Sequence, residues 1–117
     1  MSPPRSGVVR LHESAPVFAA LGDPTRLRLV ARLCADGPLS ITRLSEDVEV
    51  TRQAVTKHLV ALEAGGLARP RREGREQIWE LDTRRLAAAR QTLGRISDEW
   101  DSAIGRLRAF VESPRRV

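Results

Sequence analysis

The sequence predicts a mainly α-helical domain with one small β-hairpin, and three observations predict it. Between Ser40 and Leu81 the chain reads as helix, tight turn, second helix and then a hairpin whose tip is loaded with arginine. The second helix begins at Thr51 in TRQAVTKHLVALEAGG, and the hairpin is LARPRREGREQIWEL. Ahead of this unit, TRLRLVARLCAD carries apolar residues at helical spacing; behind it, apolar residues from Thr83 to about Glu112 recur every seven positions. A helix-turn-helix followed by such a wing is a winged helix-turn-helix, a scaffold that commonly lays its second helix in the major groove of DNA.

At 117 residues the chain is expected to form one domain with a modest core. It has two Phe, two Trp and no Tyr, so burial against a second copy would add to a core short of large side chains. No apolar run approaches the ~20 residues that span a bilayer, and MSPPRSGVVR lacks the apolar stretch of a secretory signal. A single cysteine excludes an intramolecular disulfide framework and fits a reducing compartment, so a cytoplasmic location is expected. The formal charge of +5 is unevenly spread. Residues 36–49 carry Asp36, Glu46, Asp47 and Glu49 against Arg43, whereas residues 51–75 carry six cations against Glu63 and Glu73, a net of +4. A local basic stripe is the footprint of polyanion binding, although a solvated surface can show the same run.

Residues 1–12, with adjacent prolines and no period, are expected to form a flexible arm. The core is expected over 13–82, a long helix over 83–112 and a short tail over 113–117. A short helix should follow Ser14, with Val17, Phe18 and Leu21 inward, and stop at Gly22. Asp23 can cap the next helix and Pro24 suits its first position. In that helix Leu27, Val30, Ala31 and Cys34 form an i, i+3, i+4, i+7 stripe flanked by Leu29 and Leu33, predicting burial on most of its surface. Ser40 caps a short helix whose apolar face is Ile41, Leu44 and Val48. Thr51 caps the next, which turns Val55, Leu59 and Leu62 to the core and ends at Gly65-Gly66, one of them in the left-handed position. Strands are expected over 67–71 and 77–81, joined by REGRE with Gly74 as the turn residue.

In the final helix, Leu86, Leu93, Trp100 and Leu107 alternate with Ala89, Ile96, Ala103 and Phe110 as an a/d heptad seam. A rod of roughly 45 Å cannot bury its stripe on so small a domain. With Phe18 of the first helix, these residues are expected to form a homodimer interface; the alternative is that the rod folds back on its own core. Gly94 and Gly105 weaken the helix by about 1 kcal/mol each relative to Ala.

With Val55, Leu59 and Leu62 inward, the opposite face presents Arg52, Gln53, Thr56 and Lys57. Arg can bridge guanine O6 and N7, Gln can pair with adenine, and Thr can offer a hydroxyl or pack its methyl on thymine. Lys57 suits a phosphate. At the hairpin tip, Arg71, Arg72 and Arg75 flank Gly74 and can follow the backbone or enter a narrow minor groove. Arg69 lies nearer the strand, where Glu76 or Glu80 can pair with it, and Trp79 is expected to pack.

The segment LGDPTRLRLVARL (Leu21 to Leu33), the phrase QAVTKHLVALEAGGL, the wing EGREQIWELD and the long last helix resemble the ArsR family of bacterial repressors, over roughly residues 14–112. The resemblance implies a homodimer paired through its first and last helices, bound to a palindromic operator on the bacterial nucleoid and often repressing its own operon. It places Arg52, Gln53, Thr56 and Lys57 on the DNA-reading face, beside which Thr51 at the helix start is also expected to touch DNA, and gives His58 the role of orienting that helix or touching a phosphate. The chain also departs from the family. Many members carry a cysteine pair on the first helix of the turn motif, in a pattern like ELCVCDL, where this chain has ITRLSEDVEV. Others use His and Asp on the last helix, which here has no His, and carboxylates alone are poor ligands for thiophilic metals. No metal site and no cofactor are therefore expected. Cys34 is expected to be a small buried hydrophobe, with redox sensing as the alternative. No phosphate loop and no nucleophile–His–acid grouping supports catalysis. A regulator with an unknown inducer and a winged helix used for protein contacts are the remaining alternatives; an arginine-rich wing argues against the second.

Overall fold

The computed structural model describes residues 6–46 and 48–113, and of residues 6–11 the backbone alone. Five helices and three strands follow in the order α1 (Ser6–Leu21), α2 (Pro24–Asp36), β1 (Leu39–Ser40), α3 (Ile41–Ser45), α4 (Arg52–Ala64), β2 (Ala68–Glu73), β3 (Glu76–Leu81) and α5 (Thr83–Glu112). The fold is mainly helical with a small antiparallel sheet of order β1-β3-β2. The winged helix-turn-helix expected from the pattern is present.

The caps fall where their chemistry suggests. The Asp23 carboxylate accepts from the backbone N–H groups of Thr25 and Arg26 at 2.9 and 3.0 Å. Ser40 Oγ accepts from Arg43 N, and Thr51 Oγ1 from Ala54 N. Asp82 caps α5 by accepting from Arg84 N and Arg85 N. At the end of α4, Gly66 takes φ +77°. Its N–H donates to Glu63 O while Leu67 N donates to Leu62 O, the paired closure of a Schellman motif. Gly65 serves packing instead: a Cβ there would lie 2.7 Å from Ala20 Cβ and 2.9 Å from Pro16 O, so α1 and α4 touch only because it is absent. The Arg85 side chain of α5 lies across Gly66, so the C-terminus of α4 is held by α1 and α5 together.

Several expectations are corrected. The arm expected over 1–12 is helical from Ser6; residues 1–5 lie outside the described residues, as does most of the expected tail, 114–117. Ser14 looked like a helix start because a free hydroxyl favours caps. Here it is an interior residue whose hydroxyl is captured by Thr92 Oγ1 of α5 at 2.9 Å in a buried bond. On α2 the buried stripe is Leu29, Val30 and Leu33, while Leu27, Ala31 and Cys34 are exposed. Arg26 sits on the buried side, giving its Nε to Ala20 O at 2.6 Å, and a charged residue there disguised the true stripe. Cys34 is thus an exposed thiol, not a core residue. The sheet has a third strand: Leu39 and Ser40 pair with Trp79 and Ile78, a run too short for periodicity to register. Helix α3 stops at Ser45, and Val48 packs half-buried from the turn beyond it.

The core gathers Val17 and Ala20, the α2 stripe, Leu44, the α4 trio Val55, Leu59 and Leu62, then Leu67, Ala68, Trp79 and Ala89. Trp79 packs as expected, at 2% exposure. Ala89, expected on the dimer seam, is 4% exposed and belongs to this core; Leu86 and Phe18 are half-buried against it. From Leu93 onward the seam is open, and Ile96, Trp100, Ala103, Leu107 and Phe110 are all exposed. Ile104 and Val111, outside the expected a/d set, widen the exposed stripe.

Candidate nucleic-acid interface

Helix α4 is fixed on its inner side, and that leaves an outer side of defined composition. Val55, Leu59 and Leu62 are fully buried. Arg52, Gln53 and Lys57 are exposed on the opposite face. Thr51 is exposed, with its hydroxyl accepting the cap bond from Ala54. Thr56 is half-buried and its hydroxyl donates to Arg52 O at 3.0 Å, so what it offers outward is acceptor capacity and a methyl group. Val60, missed in the sequence reading, extends this face one turn further at 51% exposure. Its distance from the first turn, where base contacts concentrate, left no signal for it.

His58 points elsewhere. It is half-buried with Nδ1 3.7 Å from Asp23 Oδ2 and 3.5 Å from Arg26 Nη1. Of the two roles expected for it, orienting the helix is the one this geometry serves. The Arg26 backbone N–H holds the Asp23 carboxyl below the usual carboxylate range; His58, the Thr25 N–H and the Arg26 charge add to this, and partial desolvation opposes it. Arg26 went unnoticed as a brace joining the end of α1, the start of α2 and the middle of α4. The signal was available: it lies three residues after the capping Asp23, in line with Leu29, Val30 and Leu33.

The wing is tighter than expected. Strands β2 and β3 pair from Ala68↔Leu81 to Glu73↔Glu76, leaving only Gly74-Arg75 as the loop. Gly74 has φ +64° and Arg75 does not have positive φ, the pattern of a type II′ hairpin. Alternation divides the expected arginine cluster. Arg69 and Arg71 share one face of the hairpin with Glu80, whose carboxylate takes Arg69 Nε at 3.4 Å and Arg71 Nη1 at 3.1 Å. Arg71 also reaches Glu73 at 3.4 Å. The pairing expected for Arg69 is therefore present, while Arg71, expected at the gripping tip, is an ion-paired strand residue. Arg72 and Arg75 are exposed and make no ion pair among the described residues.

A recognition helix with an outward arginine, glutamine and lysine beside an arginine-tipped hairpin defines a DNA-binding transcriptional regulator of the winged helix-turn-helix class. A family model described as a helix-turn-helix domain matches residues 21–71. The chain is 37% identical over 96 residues to the HTH-type transcriptional regulator Rv2034 of Mycobacterium tuberculosis, covering 82% of this chain and 86% of that protein. Among solved structures, an ArsR-like transcriptional regulator from Rhodococcus sp. RHA1 is 36% identical with a TM-score of 0.71, covering 89% of this chain and 97% of that one. A second, the ArsR family regulator RHA00566, is 26% identical with a TM-score of 0.65, over 81% of this chain and 94% of that one. The chain belongs to the ArsR family of winged helix-turn-helix regulators. These relatives are regulators, not enzymes. Among the described residues, no helix is long and apolar enough to cross a membrane, and no group of three His, Cys, Asp or Glu could hold a metal ion.

Proposed function

We propose that the protein is a homodimeric repressor that recognises a palindromic operator in the cytoplasm and needs no metal to bind it. The outward face of α4 beside the two unpaired arginines of the wing carries this reading. Arg52, Gln53 and Thr56 read bases, Thr51 and Lys57 lie along the backbone, and Arg72 and Arg75 grip phosphate. The exposed stripe from Leu93 to Phe110 supports a dimer, because a monomer in water would leave that apolar surface uncovered. A two-fold dimer sets its two recognition helices about 34–36 Å apart, one turn of DNA. Metal independence is supported by composition: one cysteine and two histidines, with His58 committed to Asp23 and Arg26.

The test is a binding titration on the DNA upstream of the protein's own gene against a scrambled duplex, at two salt concentrations and with chelator present. Preference for the upstream DNA, steep loss with salt and indifference to chelator are expected. Equal affinity for both duplexes removes the specific-repressor reading. A second reading, release by oxidants, is favoured by one observation: Cys34 is exposed on α2. Oxidant-induced release in the parent protein that disappears in Cys34→Ser would establish it.

A further inference from the structure

We infer that Glu80 limits the sequence-independent grip of the wing on DNA by holding Arg69 and Arg71 in a counter-charged face. The inference rests on the DNA-binding reading of the wing and says which of its arginines phosphate can use. The hairpin contains four arginines and looks uniformly basic in sequence, but its register sorts them by face. Arg69 stands directly opposite Glu80, and Arg71, opposite Ile78, is diagonal to it. Glu73 and Glu76 face each other on the same side at the tip, so two arginines share this face with three carboxylates. Glu80 is the carboxylate that joins the arginines, one to each oxygen. Its side chain is only 25% exposed, the least exposed of any in these pairs.

The effect does not depend on the strength of an exposed ion pair, which is small. Whether or not the pairs open, the carboxylate stays on a fixed strand position beside both guanidinium groups and offsets their attraction for phosphate. Phosphate contacts add affinity for every sequence alike. A regulator must leave non-operator DNA easily, so a wing that grips with Arg72 and Arg75 alone gains from having Arg69 and Arg71 neutralised. Glu80 is in this sense a positioning residue, acting through the two arginines rather than on DNA.

The experiment measures affinity for a short fluorescent duplex of arbitrary sequence across a KCl series, for the parent protein, E80Q, E76Q and E80Q/R69A/R71A, with a thermal melt of each. E80Q is expected to bind more tightly and to steepen the log–log salt slope by about 0.9 per subunit for the phosphate that Arg69 gains, and by up to about 1.8 where Arg71 also leaves Glu73. E76Q removes the same charge from a position with no arginine in ion-pair range and is expected to leave the slope unchanged. The triple variant should return to the parent slope. An unchanged slope in E80Q, an equal rise in E76Q, or a rise that survives in the triple variant overturns the inference while leaving DNA binding intact. Absence of binding by the parent protein at low salt overturns the DNA-binding reading itself and this inference with it.

Discussion

The two parts of α5 share one heptad pattern and meet different fates. From Thr83 to Thr92 the helix packs on α1: Ala89 and Thr92 are buried, Leu86 is half-buried, and Thr92 bonds Ser14 across the contact. From Leu93 to Glu112 the same spacing carries larger apolar side chains, yet Trp100 is 65% and Phe110 81% exposed. Periodicity states which residues share a stripe. It does not state what covers the stripe, because that depends on where the neighbouring elements end. Here α1 reaches only the first turns of the rod, and the rest stands exposed on the single chain.

The sharpest way to separate the two parts is to put a charge in each. Ala89→Asp should unfold the domain, because an unpaired buried carboxylate costs several kcal/mol against the ~5–15 kcal/mol that hold a domain of this kind together. Circular dichroism would read the loss. Trp100→Asp should keep the fold, give a monomer by light scattering and lose roughly 10²–10⁴ in operator affinity as two linked binding events become one. A dimeric, tightly binding Trp100→Asp protein would break the comparison. The Ser14–Thr92 bond is the next test. Thr92→Val should cost about 1–3 kcal/mol by leaving the buried Ser14 hydroxyl without a partner, and Ser14→Ala with Thr92→Val should recover most of it. Urea midpoints would decide, and a neutral Thr92→Val would mean that the inner contact is looser than its geometry.

The exposed polar surfaces of α4 and the wing give a parallel pair of predictions. Gln53→Ala should lose about 1–3 kcal/mol of discrimination between operator and scrambled DNA. Arg72→Ala should weaken binding to both and lower the salt slope by about 0.9. The smallest effect is expected at Asp23. Its folded carboxyl sits below the ordinary 3.8, so the stability it contributes is present above that value and is lost as pH falls through the lower folded one. Asp23→Asn keeps capping ability and should flatten stability against pH on the acid side of 3.8, as read from denaturant midpoints.

Legibility followed the range of each signal. The cap at Thr51, the inward trio of α4, the left-handed Gly66 and the turn at Gly74 were readable because each is decided within a few residues. The stripe of α2 is not legible locally because Arg26 occupies its buried side for the sake of Ala20 and His58, partners six and 32 positions away. Ser14 resembles a helix start in sequence because its partner lies 78 positions along the chain. Arg71 and Arg72 are adjacent and look identical in sequence. Only the β2–β3 register sends one to Glu80 and leaves the other open.

The missing side chain at Gly65 has a mechanical consequence. With Ala20 and Pro16 of α1 seated directly on the end of α4, and Arg85 of α5 laid over Gly66, no compliant layer separates the recognition helix from the two helices of the proposed dimer contact. In the proposed dimer each α4 would then be expected to move together with its own α1 and α5. In the proposed dimer, the distance between the two α4 helices would then be a ruler set by the contact between the two copies. For such a dimer, an operator whose half-sites are shifted by one base pair would have to be met by bending the DNA, since the close α1–α4 contact leaves the protein little slack.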